Sequence, residues 1–332
     1  MVLQIDGRSI GDGFPTYLIA EIGLNHGGDL TVAKEMVLSA KAAGVDAVKF
    51  QIFKVENFIS NQSEYYSILD KCVLNEVEIR DLFQFCKKNV ISAFGSVFDN
   101  ESANLLNNLG CPAFKIASGD ITHHPLINSV ADFGKPVIVS TGGANLNEVL
   151  EVDAILSAKG TPRAFLHCIS LYPTDISQLD LATIKLLRKK LTAPVGFSDH
   201  SVSSIVPLVA SAFGASIIEK HYTMDKQMEG PDHLLSADPE EMLLISSGLK
   251  TVFEATGVER TIPIEPLEHI NNIRRSVCAA VNISSGEVIS EDKIKFLRPG
   301  TGIKPADFRI VVGRTAACDI SSNQQILPRM LV

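Results

Sequence analysis

The chain has 332 residues, of which 45% are hydrophobic, and it carries a formal net charge of −8 at pH 7. That length is enough for one large domain and a small one, and no apolar run approaches the ~20 residues needed to cross a bilayer. The 30 lysines and arginines form no basic stripe, which argues against a nucleic-acid surface. The first residues lack a signal-peptide pattern and the six cysteines form no CxxC pair, so we expect a reduced, cytoplasmic compartment.

The elements follow a regular order along the chain. Residues 2–13 alternate apolar and polar side chains around Asp6-Gly7, which predicts a short hairpin. From Tyr17 onward, short β-branched runs alternate with loops and amphipathic helical patterns. The predicted strands are YLIAEIG, VDAVKFQ, ISAFGSV, AFKIAS, PVIVS, AFLHC, PVGFSD and SIIEKHY, which begin at residues 17, 45, 91, 113, 136, 164, 194 and 216. The last helix of this series is predicted from Pro239 to Gly257.

Eight strands and eight crossovers in about 250 residues predict an α/β fold of the (β/α)8 TIM-barrel type. A doubly wound sheet is the main competing fold. It usually shows a glycine-rich phosphate loop after its first strand, where this chain reads GLNHGGDL. We therefore predict a barrel domain over residues 1–260, opened by the hairpin.

The pattern breaks after this barrel. The segment TIPIEPLEHINN contains two prolines and no strong period, so residues 261–273 are predicted to be a linker. Residues 274–332 consist of short alternating runs, which is too little chain for a large independent core. A small β-rich domain packed on a barrel, its own or a partner's, is the simplest interpretation.

Two histidines mark the ends of the last two predicted barrel strands. His200 and His221 are separated by one helix-length crossover, and a parallel βαβ unit places such strand ends side by side. Glu219 shares a face with His221 because strand side chains repeat every two residues, and Asp199 is adjacent to His200. A lone strand histidine is usually a hydrogen-bonded core residue. Two of them on neighbouring strands instead favour a divalent metal with open coordination positions.

Polar side chains end all eight apolar strands, and in a barrel these ends gather at one mouth. They are Glu21, Lys49, Gln51, Ser96, Lys115, Ser118, Ser140, Thr141, His167, His200, Glu219 and His221. Lysines together with hydroxyls and glycine amides suit a phosphate or a carboxylate, so we predict an anion site there. Cys168 follows His167 directly, but adjacent strand residues face opposite sides, and we interpret it as a buried structural thiol.

Several segments carry a family resemblance. AEIGLNHGG, VKFQIF, FKIASGD, VIVSTGG, LHCISLYPT, GFSDHS, EKHYT and GPDHLLS occur in this order. They closely resemble the sialic acid synthase family, the phosphoenolpyruvate-dependent synthases of N-acetylneuraminate, legionaminate and pseudaminate. From Arg274, ISSGEVISEDKI and LRPGTGI resemble the SAF (antifreeze-like, β-clip) domain that follows the barrel in that family.

The resemblance implies an activity. The family condenses phosphoenolpyruvate with the open-chain aldehyde of an N-acylated hexosamine, such as N-acetylmannosamine or a di-acetamido 6-deoxy hexose, and releases phosphate. His200 and His221 would hold the divalent metal, usually Mn²⁺ but with Mg²⁺ or Co²⁺ as alternatives. The carboxylate and phosphate of phosphoenolpyruvate would be held by Lys49, Ser96, Lys115, Ser118, Ser140 and Ser198.

The resemblance also assigns catalytic and sugar-binding residues. Glu21 and Lys49 would be catalytic, and we add Glu219 as a hypothesis for positioning or deprotonating the attacking water. The sugar would contact Gln51, Tyr172 and Asp232. Arg298 of the tail matches an arginine that reaches into the partner subunit's site, which implies a domain-swapped homodimer.

Some segments depart from the family pattern, and other functions compete. Ser170 stands in CISLYP where N-acetylneuraminate-forming bacterial members usually carry Asn, and FGSVFD departs from STPFD around Ser96. A Schiff-base aldolase would use Lys49 or Lys115 as nucleophile. A non-enzymatic carbohydrate- or ice-binding protein would leave the eight polar strand ends unexplained. A synthase with a sugar-phosphate acceptor is disfavoured by the tail and by GPDH.

Overall fold

The computed structural model of the protein describes residues 2–257 and 261–332. The chain divides into two compact units, one ending at Gly257 and the other comprising the residues after it. The final residues of the predicted barrel domain, 258–260, lie outside the described residues. We take the two units separately.

The first unit opens with the predicted hairpin. Strands β1 (Val2–Ile5) and β2 (Arg8–Gly11) pair antiparallel. Asp6 and Gly7 form the turn with φ values of 47° and 76°. A two-residue turn with both central residues at positive φ matches the twist of its strands, which explains why an Asp-Gly pair occurs there.

Eight parallel strands then close into a barrel, as predicted. They are β3 Tyr17–Gly23, β4 Ala47–Ile52, β5 Ser92–Val97, β6 Phe114–Ile116, β7 Val137–Ser140, β8 Arg163–Cys168, β9 Val195–Asp199 and β10 Ile217–His221. β10 pairs with both β9 and β3, which closes the ring and rules out the open doubly wound sheet. The observed strands begin within two residues of the predicted runs.

Helices surround the barrel. They are α1 Leu30–Ala42, α2 Val55–Phe58, α3 Tyr66–Lys71, α4 Glu76–Lys88, α5 Asn100–Asn108, α6 His124–Ala131, α7 Leu146–Ala158, α8 Ala182–Lys190, α9 Val206–Ala212 and α10 Pro239–Thr256. Capping boxes begin α4, α7 and α10, where Asn75, Asn145 and Asp238 accept backbone N–H groups that have no partner inside the helix. α10 starts and stops where Pro239 and Gly257 predicted.

The second unit is small. Its core consists of buried aliphatic side chains such as Val277, Ile289 and Ile326. Helix α11 (Leu267–Ile273) occupies the second half of the segment predicted to be a linker. Strands β11 (Ser276–Ala279) and β12 (Ile294–Leu297) pair antiparallel, and isolated bridges join the remaining extended segments. A short-stranded β unit is what the alternating runs predicted.

Across the described residues, 2–257 and 261–332, every helix is too short or too polar to traverse a lipid bilayer. The six cysteines are all free thiols, five of them buried.

Candidate active site

The strand register assembles polar side chains into one ring at the carboxyl ends of the barrel strands. Glu21 of β3 is the partner of Lys49 on one side and of His221 on the other. Ser198 of β9 is the partner of Glu219 of β10. Because register partners project to the same face, these side chains all point into the barrel mouth.

Lys49 lies at the centre of this ring. Its Nζ forms an ion pair with Glu21 Oε2, donates to Ser96 Oγ at 2.7 Å, and lies 3.7 Å from Glu219 Oε2. The side chains of Lys49 and Glu21 are only 3% and 1% exposed. Buried charges of this kind are retained when several opposite charges and hydrogen bonds surround them. The contact also brings Ser96 to the site, although its segment departs from the family pattern.

Lys115 supplies a second buried ammonium group. Its Nζ donates to Ser140 Oγ at 2.6 Å and to the carbonyl of Ile116 at 3.2 Å, and it lies 3.7 Å from Glu219 Oε1. Burial lowers the pKa of Lys115, and the neighbouring Glu219 carboxylate opposes that effect. The two lysines therefore flank Glu219 from opposite sides.

The two carboxyl groups of the mouth have different proton affinities. Burial and then the charge of Glu219 raise the pKa of Glu21 to about 7, although Lys49 opposes this. Burial also disfavours ionised Glu219, but Lys115 and Lys49 outweigh it and hold its pKa below the usual value. Ser198 Oγ donates to Glu219 Oε1 at 2.8 Å. At neutral pH Glu219 is thus a carboxylate while Glu21 can carry a proton, a separation typical of acid–base sites.

A backbone amide lies beside the predicted anion site. Gly142 N–H donates to Ser118 Oγ at 3.0 Å. A Cβ at position 142 would come within 2.2 Å of Ser170 Oγ and 2.8 Å of Ser118 Oγ. The lack of a side chain at Gly142 lets this backbone approach the two serines closely, and its amide lies with the lysines at the mouth.

His200 and His221 meet beside this anion site. Their ring centroids are 5.4 Å apart, and Tyr172 stacks on His200 at 4.1 Å. His200 Nδ1 lies 2.8 Å from the carbonyl of Ile169, so a proton on Nδ1 leaves Nε2 as a free ligand atom. His221 Nδ1 is buried without a hydrogen-bond partner, 3.7 Å from Asp232 Oδ2.

These imidazoles fit a divalent metal ion. Burial, and next the charge of His200, place the pKa of His221 well below its usual value, so it is the neutral base that a metal requires. Within the described parts of the chain, no three His, Cys, Asp or Glu side chains form a group suited to a metal. The protein would accordingly contribute two imidazoles and leave other positions open.

The structure brings together the residues of the first unit that the family resemblance assigned to the site, whereas His167 and Asp199 lie elsewhere. Gln51 Nε2 lies 3.4 Å from Glu21 Oε1, and Ser118 reaches the anion site through Gly142. Arg298 belongs to the second unit, where it is exposed and directly follows β12. Its contact with a partner's site, like the individual roles of the mouth residues, stays a prediction.

One strand-end residue was placed on the wrong face. His167 does not point into the mouth: its Nε2 lies 2.7 Å from the carbonyl of Leu179, and its ring packs near Phe197 at 5.8 Å. Cys168 takes the inward position and places Sγ 3.8 Å from His200 Nδ1. The thiol is buried as expected, but its position beside the histidines was missed. Cys168 is the register partner of Ser198, whose side chain points into the mouth. Alternation of side chains along β8 would therefore have placed the thiol there as well.

Sequence reasoning also missed the role of Lys220. Its side chain lies on the opposite face of β10 from Glu219 and His221, and its Nζ pairs with Asp199 Oδ2 at 2.8 Å. Asp199, which was expected close to the metal, instead engages this lysine. The period-two pattern of a strand contains the signal, since Lys220 lies between two inward residues.

Comparisons with known proteins agree with the family resemblance of the sequence. Residues 36–261 match the NeuB family model, and residues 274–332 match the SAF domain model. An uncharacterised protein of Methanocaldococcus jannaschii is 44% identical over 94% of this chain and 93% of its own. The N,N'-diacetyllegionaminic acid synthase of Campylobacter jejuni is 34% identical over 94% of this chain and 98% of its own.

A solved structure agrees as well. The N-acetylneuraminic acid (sialic acid) synthetase of Leptospira borgpetersenii, in complex with citrate, is 35% identical. It aligns with a TM-score of 0.77 over 79% of this chain and 92% of its own. The chain therefore belongs to the NeuB family of sialic acid synthases, with a TIM barrel followed by an SAF domain.

Proposed function

We propose that the protein condenses phosphoenolpyruvate with the open-chain form of an N-acylated hexosamine to give a nonulosonic acid and phosphate. The acceptor class is N-acetylmannosamine or a di-acetamido 6-deoxy hexose. The relatives named as diacetyllegionaminic acid synthases, at 34% identity, place the di-acetamido sugars first in the order of testing. The six free thiols support the expectation of a reduced, cytoplasmic compartment.

One observation carries the proposal. Two buried lysines, a carboxylate flanked by both of them, and two adjacent imidazoles share a single mouth, with distances of 3.7 Å from Glu219 to each lysine. Two ammonium groups suit an anionic substrate, and an electrophilic carbonyl is the natural partner of a Lewis-acid site. Phosphoenolpyruvate and a sugar aldehyde meet both requirements.

The anion site holds phosphoenolpyruvate through its two charged ends. Lys49 and Lys115 provide ammonium groups, and Ser96 and Ser140 already accept hydrogen bonds from them. On binding, these lysines can turn to the phosphate and carboxylate oxygens, with Ser118, Ser198 and the amide of Gly142 as further donors. Burial of both lysines strengthens this attraction because little water screens it.

The histidines and the groups around them receive the acceptor. His200 and His221 would hold the metal, which we expect to be Mn²⁺, and when bound it supplies Lewis acidity towards a carbonyl oxygen. Tyr172 and Asp232 border the same histidines, so the sugar is oriented by an aromatic face and a carboxyl group. Gln51 offers an amide to the sugar hydroxyls from beside Glu21.

The bond changes balance without a further reagent. C3 of phosphoenolpyruvate forms a bond to the aldehyde carbon, and a water oxygen adds to C2 where positive charge develops. The C2–O bond to phosphate then breaks: phosphate leaves with the electron pair and takes up the proton of the new C2 hydroxyl, which becomes the ketone oxygen. Ionised Glu219 accepts the proton of the water, while Glu21, with a pKa of about 7, can give a proton to the new alkoxide.

The decisive experiment measures phosphate release with an acceptor panel. Purified protein is incubated with phosphoenolpyruvate, Mn²⁺ and each amino sugar in turn, and the products are identified by mass spectrometry. We expect phosphate release only with an amino-sugar acceptor, its loss in a chelator and its recovery with added Mn²⁺. If no amino sugar consumes phosphoenolpyruvate, the proposal fails.

A second candidate has one observation in its favour. Burial lowers the pKa of Lys115, as in lysines that attack carbonyl groups to form Schiff bases. An aldolase of this type would be trapped by borohydride in the presence of substrate, with the label on Lys115 or Lys49. The condensing synthase instead shows no labelled lysine and needs the metal.

We further propose a domain-swapped homodimer in which Arg298 completes the partner's site. The loops after β8 and β9 support this, since Leu171, Ile176, Val202 and Ile205 are each at least half exposed around the mouth. Arg298→Ala and Lys115→Met should each be inactive, yet mixed dimers would contain one intact site. Random pairing predicts recovery of about a quarter of wild-type activity. No recovery in mixed dimers would contradict the swap.

A further inference from the structure

We propose that Lys220 and Asp199 form a positioning pair that sets the separation of His200 and His221 and thereby the affinity of the site for its metal. The inference rests on the proposed function, because it requires that the two histidines bind a metal. Neither residue touches the anion site: Lys220 lies on the opposite face of β10 from His221.

The turn that carries His200 is held from both sides. Asp199 Oδ1 accepts the N–H of Ser201 at 2.8 Å, so the carboxylate spans the histidine. The carbonyl of His200 accepts the N–H of Thr174 at 3.0 Å. With the contact of His200 Nδ1 to the carbonyl of Ile169, the backbone and ring of His200 have little freedom left.

Lys220 connects this turn to the neighbouring strand. Its Nζ donates to Asp199 Oδ2 and also to the carbonyl of Ser201. The lysine immediately precedes His221, so a single side chain joins the two residues that flank His200 to the backbone beside His221. The distance between the two imidazoles is consequently fixed by this bridge as well as by the β9–β10 ladder.

The choice of a charged pair is informative at this position. Asp199 is 0% exposed and Lys220 is 2% exposed. Apolar residues of similar size often serve a buried position equally well for stability, whereas an ion pair fixes a specific geometry. The residues around metal ligands hold those ligands in position, and loss of such a supporting residue typically weakens metal binding 10–100-fold.

The test measures Mn²⁺ binding to the folded protein by isothermal titration and by the electron paramagnetic resonance signal of free Mn²⁺. Lys220→Met removes the bridge but leaves Asp199 without its partner. The double variant Asp199→Asn/Lys220→Met removes both charges and keeps an oxygen that can accept the Ser201 N–H. We expect the dissociation constant for Mn²⁺ to rise at least tenfold in the double variant while circular dichroism shows a folded protein.

Matched variants separate this effect from general destabilisation. Arg163→Met breaks a partly buried ion pair with Asp153, at the start of β8 and away from the histidines. It should leave Mn²⁺ affinity within twofold of wild type. A folded double variant with unchanged Mn²⁺ affinity would overturn the inference, and a loss of affinity equal to that of Arg163→Met would do the same.

The outcomes also distinguish this inference from the proposed function. If wild-type protein binds no Mn²⁺, or if His221→Ala binds it as well as wild type, the proposed metal site itself fails. If wild type binds and His221→Ala does not, the metal site stands, and the positioning pair is judged on its own variants.

Discussion

The two ends of the barrel use charged residues in opposite ways. At the amino end, arginines pair with carboxylates that are not fully buried: Arg8 with Asp46, Arg163 with Asp153 at 2.5 Å, and Arg188 with Asp12 at 2.6 Å. Their side chains reach water to differing degrees, and such pairs contribute about 0–1 kcal/mol each to stability.

At the mouth, by contrast, the charges are buried and shared. Lys49 contacts both Glu21 and Glu219, Lys115 also approaches Glu219, and Glu219 Oε2 has no hydrogen-bond partner. Incomplete pairing of a buried carboxylate costs stability, and a bound group that donates a hydrogen bond to Glu219 Oε2 would relieve it. The amino end is arranged for folding and the mouth for binding.

Of these substitutions, Lys115→Met should have the largest effect on catalysis at the mouth. It removes one of two ammonium groups for the substrate anion and one of the groups that keeps Glu219 ionised. We expect kcat/KM for phosphoenolpyruvate to fall about 1,000-fold, or about 4 kcal/mol of transition-state stabilisation. Because Glu219 and Ser140 lose a buried partner, the melting temperature should fall as well. Steady-state kinetics and calorimetry check both expectations, and a loss below tenfold would contradict the anion role.

His26 tests whether the mouth loops also contain groups kept uncharged by burial. Its Nδ1 accepts the N–H of Gly28 at 3.1 Å, and burial lowers the pKa of His26 to about 4. Below about pH 6.5 this histidine is protonated in the unfolded chain, whereas in the folded protein it stays neutral down to about pH 4. The free energy of unfolding therefore decreases as the pH is lowered from about 6.5 to about 4. The contribution is about 3 kcal/mol.

The matched variants are His26→Asn, which keeps an acceptor for Gly28, and the exposed His269→Asn. Urea unfolding at pH 7 and pH 4 should show a smaller loss of stability for His26→Asn than for wild type. His269→Asn should follow wild type. An identical pH dependence in all three proteins would refute the neutral state of His26.

Glu219→Gln addresses the shared carboxylate itself. The amide keeps the size of the side chain and can still accept from Ser198, but it cannot take a proton from water. We expect turnover to fall at least tenfold, or by about 1.4 kcal/mol or more, with phosphoenolpyruvate and Mn²⁺ binding nearly intact. Near-wild-type turnover would remove Glu219 from the proton transfer.

Arg163→Met tests the role of the ion pairs at the amino end of the barrel. Loss of its pair with Asp153 should lower the melting temperature by about 2–4 °C, as expected for about 1 kcal/mol in a unit of this size. Turnover should stay within twofold of wild type, because the start of β8 lies at the amino end of the barrel. A change in turnover of more than twofold would show that the two ends of the barrel are coupled.

Much of the barrel could be predicted from sequence because each strand is a short apolar run that ends in a polar residue. The capping residues and the Asp-Gly turn act locally, so α10 and the hairpin were placed closely. The mouth followed from topology, since parallel strands present their carboxyl ends together.

The faces of single residues were harder to predict. His167 and Cys168 are adjacent in the chain, and the apolar–polar pattern of β8 does not show which of the two points inward. Only the register with β9 decides it. Lys220 was missed for the same reason, because its partner Asp199 lies 21 positions away in the chain. Side-chain pairing across a ladder depends on long-range geometry that local patterns do not contain.

The stacking of Tyr172 on His200 gives the protein a built-in optical reporter. The chain contains no tryptophan and five tyrosines, so its intrinsic fluorescence comes from tyrosine. A paramagnetic ion held by His200 would quench the emission of Tyr172, whose ring lies 4.1 Å from that ligand, whereas diamagnetic Mg²⁺ would leave it bright. Occupancy of the histidine pair can then be followed in unlabelled protein, in real time and during turnover.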